Sequence, residues 1–198
     1  MSDDRPTVTL VRHGETPWSA TGQHTGRTDL DLTPAGIQQA EDLRPLLAPP
    51  FDLVLCSPLS RARSTAELAG LEPYELEPDL HEWDYGELEG LTTAEIRASL
   101  PGWQIWSGPW PGGETADDVA ARADGVLERV RRSGAGRVAL VGHGHILRVL
   151  AARWLGEGPA GGRLLALDTA AICELGWEHE AAVIRTWNLT ASRLSAAS

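Results

Sequence analysis

Val138-Ala139-Leu140-Val141-Gly142-His143-Gly144-His145 is an apolar run of strand length that breaks off abruptly into glycine and histidine. Two other stretches share its form. Val8 to Val11 runs into Arg12-His13-Gly14, and Leu53 to Cys56 runs into Ser57-Pro58. Short, continuously apolar runs are what strands covered on both faces look like, as in a parallel sheet. If the three are parallel, their polar loops emerge at one carboxyl edge, where open α/β sheets bind ligands. Between them the apolar spacing turns helical, which points to an α/β domain. Thr33-Pro34 reads as an N-cap with proline in the first turn, predicting a helix to about Leu47. Ser57-Pro58 opens the next helix by the same logic. Thr92 with Glu95 and Thr115 with Asp118 have capping-box spacing for two more. A helix carrying Ile146, Leu147, Leu150, Trp154 and Leu155 follows the third strand. Ala171 to Leu175 and Val183 to Trp187 read as two further strands, whose apolar ends either complete the core or pair with a second copy in a homodimer. Ala48-Pro49-Pro50 and Gly156 to Gly162 are short joints, and no internal repeat is visible.

Composition narrows the function. The 198 residues, 42% hydrophobic and 23% charged, suit one compact core. No apolar run approaches the roughly 18 residues that cross a bilayer. Met1-Ser2-Asp3-Asp4-Arg5-Pro6 is polar and acidic rather than a secretory leader. Cys56 and Cys173 form no disulfide framework, so a cytoplasmic, reducing setting is expected. Seventeen basic and twenty-eight acidic residues give a net charge of −11, and every basic residue is Arg. Without lysine there is neither a P-loop nor a Schiff-base amine. A surface this acidic repels nucleic acid and anionic membranes, so neither is an expected partner. An anionic substrate has to be held by a local group of arginines.

The strand ends supply such a group. His13 beside Arg12 reads as a nucleophile whose phosphoryl target is held by the guanidinium, or as a satisfied histidine in a turn. Gly14 is expected to let the backbone approach a ligand closely. Arg61 lies in the first turn of the helix after Ser57-Pro58, where a guanidinium fork and the helix dipole both favour phosphate; the alternative is a solvated arginine paired with Glu67 or an aspartate. Cys56 and Arg61 are separated by four residues, one fewer than a cysteine-phosphatase loop needs, and Pro58 removes an amide from it, which leaves Cys56 as a buried small hydrophobe. His143 and His145 are a zinc pair, a donor to a phosphoryl oxygen, or a helix cap. In His81-Glu82-Trp83-Asp84-Tyr85-Gly86-Glu87-Leu88-Glu89, a carboxyl group desolvated by Trp83 would serve as general acid, though composition does not say which one. Trp103, Trp106 and Trp110, set among prolines and glycines, either roof a pocket or form satellite packing.

Taken together, six motifs resemble the histidine phosphatase superfamily in its phosphoglycerate-mutase-like branch. They are LVRHGET (10–16), HTGRTDLDLT (24–33), CSPLSRA (56–62), HEWDYGELEG (81–90), GGET (112–115) and VGHGHILR (141–148). The resemblance implies one domain over residues 1–198, core about 7–190, in three layers with a mostly parallel central sheet flanked by helices. It implies that His13 becomes phosphohistidine, that Arg12, Arg61 and His143 hold the phosphoryl oxygens, and that Glu82 donates the proton. Ser19, Thr25, Gly26, Tyr85 and Gly144 fall where relatives line the substrate site. No metal or other cofactor is implied, and the implied partner is a small phosphate ester.

Two departures refine this. Many relatives carry Asn in the first motif where this chain has Trp18-Ser19, and Ser19 reaches less far. Glycolytic mutases of the branch are usually longer, with an insertion and a lysine near the acidic motif; this chain has neither, which favours hydrolysis. The expected activity is therefore a metal-independent phosphomonoesterase of the acid-phosphatase type acting on sugar phosphates or phosphoglycerate-type esters. A phosphoglycerate mutase and a non-catalytic phospho-ligand binding module are the alternatives.

Overall fold

In the computed structural model, which describes residues 5–47 and 50–195, the three continuous apolar runs become neighbouring parallel strands. They are β1 (Thr7–Arg12), β2 (Leu53–Cys56) and β4 (Arg137–Gly142), with the two-residue β3 (Glu75–Leu76) beyond β2. β5 (Ile172–Glu178) and β6 (Ala181–Leu189) complete a six-stranded sheet in the order β3-β2-β4-β1-β5-β6. The first four strands are parallel, whereas β5 runs antiparallel to both β1 and β6.

The helices are α1 (Pro17–Thr21), α2 (Pro34–Glu41), α3 (Ser60–Leu68), α4 (Thr93–Ser99), α5 (Ala116–Arg132), α6 (Gly144–Trp154) and α7 (Ala191–Ser195). Two apolar clusters, one on each sheet face, make the three layers. Leu10, Leu55, Val138 and Leu140 meet α5 and α6 through Val126, Leu127, Ile146 and Leu150. Val11, Val54, Cys56 and Val141 meet α2 and α3 through Ala40, Ala62 and Ala66. β1 and β4 therefore bury both faces, which is why they read as unbroken apolar runs. Trp177, Ile184 and Trp187 pack against the first cluster, so the apolar ends of the last strands complete the core of this chain. Among the described residues no helix is long and apolar enough to cross a membrane.

Several local expectations change. The helix expected from Thr33 to Leu47 stops at Glu41, and Arg44–Leu46 forms a separate 3-10 turn around Pro45. Proline lacks the N–H and its ring collides with the carbonyl one turn back, so the α-helix cannot pass through it. The next helix starts at Ser60 with Leu59 at the N-cap, so Ser57 is free for another use. The capping boxes of Thr92 with Glu95 and of Thr115 with Asp118 both form. Ala48 and Pro49 of the first joint, and Met1 to Asp4, lie outside the described residues.

Candidate active site

The register pairs Arg12 with Gly142 and Cys56 with Val141, so the loops beginning at His13, Ser57 and His143 leave one edge side by side. His13 is fixed through its own backbone. Its N–H donates to Gly142 O, its carbonyl accepts from Ala170 N, and the next amide, Gly14 N, donates to Thr65 Oγ1. A Cβ on Gly14 would lie 2.3 Å from Gly36 O, and one on Gly36 would lie 2.1 Å from Glu15 O. The room at Gly14 thus seats the start of α2 against the loop, where close approach of a ligand had been expected.

The ring of His13 is buried, and its Nδ1 stands 2.7 Å from Gly14 O. A carbonyl only accepts, so Nδ1 carries the hydrogen and Nε2 keeps a lone pair. Burial, then the charges of Arg12 and Arg61, hold the ring well below the usual histidine range, so it is neutral at pH 7. His13 lines a cavity of about 180 Å³ with Arg12, Ser19, Thr25, Glu82, Tyr85 and Gly144. Arg12 donates through Nη1 to Leu167 O at 2.5 Å, while its buried Nε has no partner among the described residues. An orphaned buried guanidinium N–H costs free energy unless something comes to meet it.

Glu82 is buried against the start of α6. Its Oε1 accepts from Trp83 N and Ile146 N, and its Oε2 accepts from His145 N at 2.9 Å. The carboxylate occupies the position that a helix N-terminus offers an anion. Oε2 makes that one hydrogen bond and has a lone pair left for the cavity. The neighbouring carboxylates do other work: Glu89 accepts from the amides of Gly26, Arg27 and Thr28, and Asp84 from Gly86 N.

Arg61 and His143 lie behind this arrangement and do not line the cavity. Arg61 is fully buried; Nε donates to His143 Nδ1 at 3.1 Å, Nη1 to Thr28 O, and Nη2 to Thr25 O and Gly26 O. Because guanidinium never accepts, His143 carries its hydrogen on Nε2 and donates it to Ser57 Oγ at 2.8 Å. The two groups expected to hold phosphoryl oxygens are here bonded to each other and to the 25–28 loop. The His143 ring is 5.1 Å from that of His13.

The remaining expected substrate residues divide. Tyr85 and Gly144 line the cavity, as does Thr25. Ser19 lines it too, but its hydroxyl closes a capping box with Thr16 at the start of α1. Gly26 does not line it: its carbonyl anchors Arg61, and a Cβ there would meet Trp83 O at 2.7 Å.

Gly22, Gln23, His24, Arg148 and Leu167 also line the cavity without having been expected there, and so does His145, whose reading had stayed open between zinc ligand, phosphoryl donor and helix cap. His145 and Arg148 carried a signal: spaced three apart after the third strand, they share the face of α6 that begins at Gly144. Burial lowers His24 to about 4, and burial followed by Arg148 lowers His145 well below the usual range. The tryptophans form a packed layer behind these rings. Trp103 meets His24 at 5.4 Å and Trp106 meets His145 at 5.2 Å, while neither lines the cavity itself. Among the described residues no group of three or more His, Cys, Asp or Glu side chains converges to hold a metal ion. Burial pushes the thiols of Cys56 and Cys173 up to about 12, so both are inert small hydrophobes.

Comparison with known proteins gives a consistent result. The family model of the histidine phosphatase superfamily (branch 1) matches residues 8–190. An acid phosphatase of Mycobacterium tuberculosis (strain ATCC 25618 / H37Rv) is 42% identical over 185 residues, 91% of each chain. The solved structure of a Mycobacterium tuberculosis open reading frame superposes with a TM-score of 0.89 at 41% identity, covering 94% of this chain and 98% of that one. A 2,3-bisphosphoglycerate-dependent phosphoglycerate mutase of Allorhizobium ampelinum (strain ATCC BAA-846 / DSM 112012 / S4) is 36% identical, covering 73% of this chain and 77% of its own.

Proposed function

The chain belongs to the histidine phosphatase superfamily (branch 1), and on that footing we propose that it hydrolyses small phosphate monoesters through a phosphohistidine on His13. The observation that carries this reading is the pairing of a neutral His13, its Nε2 lone pair free, with the unpartnered Nε–H of Arg12. Nε2 attacks phosphorus, the bond from phosphorus to the ester oxygen breaks, and Arg12 takes up charge on the phosphoryl oxygens. Glu82 acts once Oε2 carries a proton: it passes that proton to the departing alkoxide, then regains one from the water that attacks phosphohistidine. Phosphate leaves, and both residues return to their starting state. Arg61 and His143 set the electrostatic floor beneath His13 and reach the phosphoryl group only by exchanging their present bonds. A cytoplasmic location belongs to the same reading, supported by two free buried cysteines.

Phosphate release from sugar phosphates, phosphoglycerates and p-nitrophenyl phosphate, with EDTA present, tests the reading. Release across several esters, with a phosphoryl adduct on His13 after rapid quenching, supports it. Isomerisation of 3-phosphoglycerate without release makes the chain a mutase, and silence on both makes it a binding module. Glu82→Gln is expected to slow poor leaving groups about 10- to 100-fold more than p-nitrophenyl phosphate, whose leaving group hardly needs a proton. Equal slowing assigns the proton to another group.

A further inference from the structure

The guanidinium of Arg12 has one hydrogen-bond partner among the described residues, the carbonyl of Leu167. The same peptide plane carries the N–H of Asp168, because a carbonyl and the amide that follows it turn together. That N–H donates to Asn188 Oδ1 at 2.8 Å, and Asn188 Nδ2 donates to Asp168 Oδ2 at 3.2 Å. One end of the side-chain amide accepts and the other donates, so the two bonds agree on its orientation. Asn188 is buried near the end of β6 with φ of 57°, in the left-handed region that asparagine adopts more readily than most residues. The β5–β6 ladder slips there, between the pairs Ile172 with Leu189 and Glu174 with Thr186, and Asn188 N donates to Cys173 Sγ at 3.3 Å. Such irregularities re-aim a side chain. Trp187 Nε1 donates to Ala166 O, and Ala170 N donates to His13 O, so the two ends of this segment have their own anchors. Arg193 also donates to Asp168 Oδ2, but both side chains are more than half exposed and such a pair holds little. The plane of the Leu167–Asp168 peptide therefore depends on Asn188.

We propose that Asn188 is a positioning residue for the reaction: through the Leu167–Asp168 peptide it aims the carbonyl that orients Arg12, and so presents the open Nε–H to the phosphoryl group at His13. The proposal rests on the reading of Arg12 as a phosphoryl ligand. The guanidinium is planar, so a fixed Nη1 restrains Nε as well. From Asn188 Oδ1 to Arg12 Nη1 the two bonds run head to tail through one peptide, and each polarises the other. Without the amide of Asn188, the Asp168 N–H has to find another acceptor, and the peptide that turns to reach it takes Leu167 O with it. Asn188 itself does not line the cavity. Its effect on turnover therefore has to pass through Arg12.

A double-mutant cycle on p-nitrophenyl phosphate tests this, beside the Kd for inorganic phosphate, both measured well below Tm. Asn188→Gly removes the amide and keeps a backbone that is free to stay left-handed. It is expected to lower kcat about 10- to 100-fold, the size of a misplaced positioning contact, and to weaken phosphate binding. In an Arg12→Gln background the same change should alter neither quantity, because both substitutions then remove one effect. Asn188→Asp sets a carboxylate against Asp168 and should slow turnover similarly. Adding Asp168→Asn exchanges the two side chains, restores both bonds and should recover kcat. That exchange also decides the outcome if Asn188→Gly does not fold. A lower Tm with unchanged kcat and phosphate Kd overturns the proposal, since it makes Asn188 a structural residue of the slipped ladder. So does a loss that is as large in the Arg12→Gln background, or an exchanged pair no faster than Asn188→Asp alone. If the wild type releases no phosphate from any ester, the phosphatase reading fails, yet a phosphate Kd that depends on Asn188 only while Arg12 is present still establishes the positioning. Turnover in the wild type that Asn188→Gly leaves unchanged does the reverse.

Discussion

The end of β1 and the adjoining ends of β4 and β2 share one sheet edge, and each side holds an arginine and a histidine, yet they differ in how far their polar atoms are satisfied. Beyond β2 and β4, Arg61 spends its Nε and both Nη groups on His143 and three loop carbonyls, and His143 passes its own hydrogen to Ser57. At the end of β1, Arg12 keeps a buried Nε without partner and His13 keeps a bare Nε2. Buried polar groups are normally paired, so the unpaired end is where a ligand completes the structure. The paired end acts as a brace: it holds the 25–28 loop and presents a positive floor to His13.

The contrast breaks most decisively at His13. His13→Ala should lower turnover by about 10⁴-fold or more, while inorganic phosphate still binds to Arg12, as seen in a single-turnover assay beside a binding titration. Near-wild-type turnover would remove the phosphohistidine. Next is Arg12→Gln, expected to cost about 10²- to 10³-fold in kcat with a smaller change in Tm, because the Nε donor it removes is met only by the ligand, while the fold loses the one bond to Leu167 O. The opposite end should show the reverse balance. Ser57→Ala leaves the buried Nε2–H of His143 unpaired and should destabilise the fold by about 1–3 kcal/mol, seen as a lower Tm, with a smaller effect on kcat. A Ser57 variant that loses activity but keeps its Tm would make the paired end catalytic in its own right.

Proton linkage gives the smallest effect, counted per residue. His13 and His143 are both held well below the usual range by burial and by neighbouring arginines. In the unfolded chain they titrate near 6.5, so below that pH the unfolded state binds protons that the folded state refuses. Stability is therefore complete above pH 6.5 and falls as pH drops, by at most about 1.4 kcal/mol per pH unit for each histidine. For His24 that window closes at about 4. Melting curves at pH 7.5, 6 and 5 should shift steadily downward, whereas kcat/KM well below Tm should show no loss from His13 over the same range. A rise in Tm on acidification would show these histidines to be charged in the folded protein.

Much of this edge was legible from residue order. β1, β2 and β4 announced themselves because strands covered on both faces must be apolar throughout, and their loops showed the chemistry because polar and glycine residues break those runs at the carboxyl edge, where open α/β sheets bind ligands. Thr92 and Thr115 marked their helices through short-range bonds to Glu95 and Asp118. Ser57-Pro58 misled, since the serine hydroxyl is taken by His143, 86 residues away, and the helix begins three residues later. Gly14 misled for the same reason: its neighbour is Gly36, on another element. Arg148 was not expected in the site, because its spacing from His145 puts it on one face of α6 without telling a helix-surface arginine from one that closes a cavity.

What the sequence by itself determined is therefore what depends on neighbours along the chain. It set the strand runs, the helix caps, the absence of lysine, and the presence of Arg12, His13, Glu82 and His143 at the ends of elements. Hydrophobic period and capping act over a few residues and leave a readable pattern. Only the tertiary structure decided which of those polar groups would be satisfied. It gave His13 its Nδ1–H partner and left Nε2 open, consumed Arg61 and left Arg12 unspent, and set Glu82 on the α6 N-terminus. The physical reason is that hydrogen-bond satisfaction and desolvation depend on the distance to atoms far along the chain, and both are settled only when the layers pack.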